Sequence, residues 1–300
     1  MFLKDIKSGY LSTLKVKSMY LGNSIIYQDT PPIDGFITFS SPNPFTLAWY
    51  ASSNKTWDGT IQILSSNGVD WLTWPNGSTA SGKIGPDNKY YLKVRGVGNT
   101  KISGNTSSTK TQSFKCNSGS NISVSGNIMT LLDYQTVLNG EIPTIANGAF
   151  NSLFRDFTTL TSINIKIPGY IKDYECYSMF RGCTGLTTIG EDMFITPTNN
   201  GGDIYPCNGS GCAQMFRDCS ALQNICKIPF LTYNTTNCLQ NMFISTPARF
   251  SGTSSGEYSY IFRLPPSGTA TGLTQTVTGT TSPVTSISLN TTYFCNMPAV

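Results

Sequence analysis

One short phrase recurs through the middle third of the 300-residue chain and restricts what that chain can fold into. It reads Leu153-Phe154-Arg155-Asp156-Phe157-Thr158-Thr159-Leu160, then Met179-Phe180-Arg181-Gly182-Cys183-Thr184-Gly185-Leu186, then Met215-Phe216-Arg217-Asp218-Cys219-Ser220-Ala221-Leu222. A truncated copy, Met242-Phe243-Ile244, closes the series. The copies open at positions 153, 179, 215 and 242, so the spacings are 26, 36 and 27, and the longer one holds a Gly/Asn/Pro-rich insertion at 196–210. A fixed period of this size predicts a solenoid. One repeat has too little apolar surface to close a core and must stack on its neighbours. After each phrase comes a strand-like segment: Leu160-x-x-Ile163-x-Ile165-x-Ile167-Pro168, Leu186-x-x-Ile189, and Leu222-x-x-Ile225-x-x-Ile228-Pro229. Stacked in register, these residues form apolar columns, each well-buried side chain contributing roughly 1.5–3 kcal/mol.

The Met-Phe-x-x-Cys-x-x-Leu phrase at this period resembles the BspA-type leucine-rich repeat over residues 150–250. The departures are Leu153 and Phe157 in the first copy, the insertion, and the aborted last copy. They point to a short array with atypical ends. Cysteines follow the period. Cys176 and Cys212 lie three residues before the Met of their copies, Cys238 lies four before Met242, and Cys183 and Cys219 lie four after theirs. Repeat positions predict ladders of buried thiols acting as small core hydrophobes. A Cys207–Cys212 disulfide in the insertion is the alternative. Nine cysteines leave at least one unpaired, and the absence of CxxC pairs weighs against zinc.

Around the repeats the expected class is mainly β. Residues 1–30 read as an N-terminal β-hairpin unit, with Gly22-Asn23 as a two-residue turn between Met19-Tyr20-Leu21 and Ile25-Ile26-Tyr27. The phrase Val16-Lys17-Ser18-Met19-Tyr20-Leu21-Gly22-Asn23-Ser24-Ile25-Ile26-Tyr27 resembles a short N-terminal element of phage structural proteins. That resemblance implies an anchoring role for Lys15, Lys17, Tyr20 and Tyr27; an ordinary packed hairpin is the plainer reading. Pro31-Pro32 makes a stiff linker. Residues 34–127 read as a β-sandwich, with strands expected at 36–39, 45–50, 59–64, 71–74, 90–94, 100–103, 112–115 and 122–124. Its turns are expected at Asn67-Gly68, Asn76-Gly77 and Pro86-Asp87-Asn88. Trp49, Trp57, Trp71 and Trp74 are core residues on the commoner reading and a sugar-stacking platform on the other. The solenoid spans 128–250, with Met129–Tyr134 as a short cap over its first open face, and 251–300 forms a β-rich C-terminal cap.

The chemistry available is narrow. No histidine is present, which removes Ser–His–Asp and Cys–His catalysis and His-ligated metals. No phosphate loop occurs, and no GxGxxG follows a strand. A net charge of +4 is too weak to imply nucleic acid, and no run of about 20 apolar residues implies membrane insertion. A glycosidase-type carboxylate pair is the remaining catalytic option. Its candidates are Asp156, Asp173, Glu175, Glu191, Asp192 and Asp218. Asp156 and Asp218 hold the position that Gly182 fills in the middle copy, and a site that accepts Asp or Gly reads as a turn. Arg155, Arg181 and Arg217 also share one position. Stacked guanidinium groups repel unless each meets a carbonyl or an acid, so they either cap the repeats or bind acidic glycans. Tyr258 and Tyr260, in the tail, are the other binding candidates.

Only 12% of residues are charged, while Ser, Thr, Asn and Gly abound, as suits a protein working outside cells. The start, Met1-Phe2-Leu3-Lys4-Asp5, lacks the order of a secretory signal. Phage virion proteins fit both facts, being made in the host cytoplasm and acting outside it. The resemblance implies a non-enzymatic fibre, decoration or receptor-recognition component without cofactor or metal. It would contact other virion proteins through the N-terminal unit and a host glycan or protein through the solenoid and tail. It implies a homo-oligomer, with a trimer among the allowed states. A BspA-like bacterial cell-surface adhesin is the main alternative, and a glycan-degrading depolymerase the second.

Overall fold

Alternating apolar and polar residues in the first half of the chain become strands, and the computed structural model is mainly β. It describes residues 34–49, 58–103, 113–167, 171–190, 193–194, 207–223 and 242, together with the backbone of short strands at 10–11, 14–15, 18–21, 24–28, 206 and 232–233. The chain divides into two units, Met1–Asp34 and Gly35–Val300.

The first unit holds two antiparallel hairpins. β1 (Tyr10–Leu11) pairs with β2 (Leu14–Lys15), and β3 (Ser18–Leu21) with β4 (Ser24–Gln28). Leu21 lies opposite Ser24, and the expected Gly22-Asn23 turn between them lies outside the described residues. Lys15, Tyr20 and Tyr27 fall in these strands; Lys17 lies outside the described residues.

The second unit begins with β5 (Ile37–Ser41), β6 (Thr46–Trp49), β7 (Thr60–Leu64), β8 (Trp71–Thr73), β9 (Thr79–Ser81), β10 (Lys83–Ile84), β11 (Tyr90–Val97), β12 (Phe114–Ser118) and β13 (Ile122–Asn127). The helix α1 (Thr130–Leu138) follows, then β14 (Leu160–Lys166), β15 (Thr188–Ile189), β16 (Pro206–Cys207) and β17 (Thr232–Tyr233). One eight-stranded sheet runs in the order β15-β14-β13-β5-β11-β7-β8, with β10 pairing the start of β11. A three-stranded sheet, β12-β6-β9, lies against it. The two meet through Phe39 and Phe114, whose ring centroids are 5.1 Å apart, and through Trp49, 4.8 Å from Phe114. The chain crosses between sheets at Gly82, where a Cβ would lie 2.5 Å from the Phe45 ring.

Two expectations need correction. Residues 100–103 form no strand. Ile102 and Ser103 instead donate their backbone N–H groups to the Ala149 carbonyl, pinning this loop to the chain just before the first phrase. The short strands β9 and β10 were not expected, because Thr79-Ala80-Ser81-Gly82-Lys83-Ile84 has too few apolar residues to show alternation. The short cap expected at 129–134 is the start of helix α1, Thr130–Leu138. It packs on β11 at Gly96, where a Cβ would meet the Leu131 carbonyl oxygen at 1.7 Å. Asp133 breaks the helix (φ −146°, ψ 106°), and its Oδ1 accepts from the N–H groups of Gln135 and Thr136, capping a second short turn.

The large sheet continues through residue 127, where the sandwich was expected to end. β13 pairs antiparallel with β5 on one side and parallel with β14 on the other, and β14 pairs parallel with β15. The strands after the first two phrases thus extend a sheet that the first half of the unit began.

The phrases themselves lie one above another. The N–H groups of Phe150, Ser152, Phe154 and Asp156 donate to the carbonyls of Glu175, Tyr177, Met179 and Arg181. Those of Cys176, Ser178, Phe180 and Gly182 donate to Gly211, Ala213, Met215 and Arg217, and Phe216 donates to Met242 of the truncated copy. Alternate N–H groups turn inward instead, as in Leu153 to Phe150 and Arg155 to Ser152. This two-way pattern needs a left-handed residue at every fourth position. Ser152 (φ 58°), Asp156 (φ 56°), Ser178 (φ 53°), Gly182 (φ 74°), Gln214 (φ 57°) and Asp218 (φ 63°) supply it. Phe154, Phe180 and Phe216 are fully buried and stack almost parallel, with centroids 5.2 and 5.4 Å apart and interplanar angles of 3° and 5°. Leu160, Leu186 and Leu222 are also fully buried. Phe154 in turn rests on Phe114 at 5.5 Å, so the stacked rings run into the contact between the two sheets.

Candidate binding face

The arginine position sits just after each stacked phenylalanine. Backbone rungs set the guanidinium groups one repeat apart, and the column is graded in exposure: side chains of Arg155, Arg181 and Arg217 are 6%, 23% and 31% exposed. Asp218 Oδ2 takes both Arg181 Nε (3.4 Å) and Arg217 Nε (3.5 Å), and Arg181 Nη1 donates to Gln214 Oε1 at 2.6 Å. Arg155 Nε lies 3.6 Å from Asp156 Oδ2. Burial, and then the neighbouring Arg181 charge, push the Arg155 pKa below its ordinary value against the pull of Asp156. Arg155 is thus an interior member of the column, and only Arg181 and Arg217 offer edges to solvent. Tyr258 and Tyr260 lie outside the described residues.

Among the described residues, the candidate carboxylates have structural partners. Asp156 and Asp218 hold left-handed turn positions and pair with arginines. Asp173 Oδ1 accepts from the Ser210 N–H at 2.9 Å. Glu175 is fully buried, with Oε2 accepting from the Lys172 N–H at 2.8 Å and Oε1 unpartnered among the described residues. Burial raises its pKa to about 8. Glu191 and Asp192 lie outside the described residues.

Cys176, Cys183, Cys207, Cys212 and Cys219 are all buried. Cys183 Sγ donates to the Phe154 carbonyl and Cys219 Sγ to the Phe180 carbonyl, each at 3.1 Å, so the thiol ladder also cross-links successive copies. Cys176 and Cys212 are thiols in the structure. No group of three or more metal-ligating side chains occurs among the described residues.

The surface that the sequence reading did not single out is the outer face of the large sheet. Register places Lys93, Thr38, Ser125 and Asn164 in one cross-strand row. Tyr91, Ser40, Ser123, Ser162 and Thr188 form the next. Their neighbours along each strand, such as Leu92, Phe39, Val124 and Ile163, are buried. The face therefore carries hydroxyls and amides from the first half of the unit into the repeats. At its other end Trp71 and Tyr134 enclose Arg95, whose Cζ lies 4.1 and 3.7 Å from the two ring centroids. Trp49 and Trp74 are core residues, and Trp57 lies outside the described residues. Strand alternation was visible in the sequence; which strands are neighbours was not, and only that makes the rows. No family model, curated protein or solved structure matches this chain.

Proposed function

We propose that this chain is a binding protein of a phage particle, acting without catalysis. In this reading the N-terminal hairpins anchor it to other virion proteins and a β-sandwich spaces it from the particle. A short BspA-like leucine-rich-repeat solenoid, completed by a C-terminal cap, presents a polar face to a host surface glycan or protein. The observation that carries the reading is the in-register stack of phrases continuous with a sheet whose outer rows are hydroxyl and amide. Such a face suits many weak polar contacts, which copy number on a particle multiplies into avidity. Fixed structural partners for Asp156, Asp173 and Asp218, and the enclosure of Glu175, support binding over hydrolysis.

Detection of the protein in purified particles tests the setting, and deleting residues 1–30 tests the anchor. The truncated chain should stay folded and fail to join the particle. Recovery only from bacterial envelopes would favour the adhesin. Release of reducing ends from host capsular polysaccharide, lost in Glu191→Gln or Asp192→Asn, would overturn the non-catalytic reading.

A further inference from the structure

An open groove of about 490 Å³ lies between the β7–β8 connection and the β10–β11 hairpin, within the usual size of small-ligand sites. Leu64, Ile84 and Pro86 give it an aliphatic lining, and Lys83, Lys93 and Tyr91 stand around them. Neither Lys83 nor Lys93 has an ion-pair partner among the described residues, and Lys93 Nζ sits 4.6 Å from the Phe36 ring centroid. The acids here already have partners, Asp87 within the groove lining itself and Asp70 in the adjoining loop. Asp87 accepts from the Tyr91 hydroxyl at 2.6 Å and faces Lys89 at 3.7 Å, while Asp70 accepts from the Asn67 amide within its own loop. Farther along the same outer face Arg95 is held by Trp71, Tyr134 and a 2.8 Å bond from Nε to Gln62 Oε1, again without a carboxylate partner among the described residues. Three cations thus share one face, and none of them has an ion-pair partner among the described residues.

We propose that this groove binds a carboxylate-bearing oligosaccharide, with Lys83 and Lys93 meeting the acid and the aliphatic lining supporting the sugar ring. The assignment rests on the reading of the chain as a glycan-binding protein and names a site apart from the repeats. A uronate unit suits this lining: its anionic edge meets the lysines, its C–H face meets the aliphatic side chains, and its hydroxyls come within reach of Ser65 and Ser66. Single-stranded nucleic acid fits less well. Its bases need open aromatic faces, and here Arg95 covers faces of Trp71 and Tyr134 while Lys93 covers one of Phe36.

The test is calorimetric titration of the full chain with polygalacturonate oligomers, neutral dextran and a single-stranded oligodeoxynucleotide at ~0.15 M salt. Polygalacturonate should bind and dextran should not. Lys83→Ala/Lys93→Ala should weaken polygalacturonate binding at least tenfold with an unchanged Tm, because both side chains sit at the surface. Unchanged affinity in that double variant overturns the site. Loss instead in Arg181→Ala/Arg217→Ala would move acidic-glycan binding to the repeats, supporting the proposed function while refuting the groove. Oligodeoxynucleotide binding as tight as polygalacturonate binding would reduce the site to a general polyanion patch and overturn the sugar assignment. If the wild type binds no polygalacturonate, the groove assignment fails while the particle test of the broader reading stands.

Discussion

Phe180 is the side chain whose removal reports most directly on the stack. Its ring lies between Phe154 and Phe216, nearly parallel to both, and is fully buried. Truncating a buried phenylalanine to alanine costs about 3–5 kcal/mol, depending on how far the site can collapse. Here collapse is opposed. The rungs from Phe154 N–H to Met179 O and from Phe180 N–H to Met215 O, both 2.9 Å, hold the neighbouring coils at fixed spacing. Two ring–ring contacts, each worth about 0.5–1.5 kcal/mol beyond area burial, are lost as well. Phe180→Ala should therefore fall at the upper end, about 4–5 kcal/mol. Phe180→Leu keeps most of the volume and should cost roughly half as much. Urea denaturation followed by the fluorescence of Trp49 and Trp74 measures both, since those indoles are buried in the same apolar core. The m-value should stay near wild type. A loss below about 1 kcal/mol for Phe180→Ala, or a wild-type tryptophan signal that ignores the substitution, would refute the continuous ring stack.

The buried Glu175 carboxyl, raised by burial to about 8 from an ordinary 4.5, stays protonated in the folded chain where the unfolded chain ionises. Wild-type stability relative to Glu175→Gln should thus fall by about 1.4 kcal/mol per pH unit between those values and level off above them; parallel curves across that window would place Glu175 in water. Ser178 holds a left-handed conformation at φ 53° with its buried Oγ unpartnered among the described residues. Ser178→Gly should accordingly raise stability by about 1 kcal/mol, a gain that a lowered Tm would disprove. Burial pushes the Cys183 and Cys212 thiols well up and that of Cys219 up to about 12. Iodoacetamide at pH 8, mapped by mass spectrometry, should therefore spare these three until denaturant is added; alkylation of Cys219 at a rate near that of half-exposed Cys116 would contradict the packed ladder.

Legibility in the sequence followed the physics of each element. Strands with clean alternation, such as Ile122–Asn127 and Thr60–Leu64, were readable because one face is buried and the other wet. The repeat period was readable because Phe154, Phe180 and Phe216 must each meet the same ring environment. Of the left-handed positions, the one shared by Asp156, Gly182 and Asp218 was readable as a turn, whereas Ser152, Ser178 and Gln214 carry no glycine signal. Their strain, of order 1 kcal/mol each, is offset by inter-coil hydrogen bonds that only the stacked chain makes. The arginine column was visible as a column, but its gradient from interior Arg155 to half-exposed Arg217 depends on what lies above and below. The groove was invisible, because Lys83 and Lys93 come together only through β10 pairing with β11.

The junction between β13 and β14 explains how a short run of imperfect repeats can be stable. A stacked repeat leaves its first coil with an unpaired strand edge and a bare apolar face. Here the parallel pairing of Ile122–Asn127 with Leu160–Lys166 satisfies that edge, and the rings of Phe114 and Phe39, 5.5 and 6.1 Å from Phe154, cover that face. The same β13 is tied by its other edge to Ile37–Gly126 and Phe39–Val124 pairs of β5. A one-residue slip at β14 would turn Ile163 and Ile165 outward and bring Asn164 into the core, breaking the leucine and phenylalanine columns in every later copy. The register of the repeats is therefore set by the preceding sheet rather than by the repeats themselves. This accounts for a first copy that tolerates Leu153 and Phe157 in place of the Met and Cys of its successors: its side chains pack against a sheet, and theirs pack against another coil.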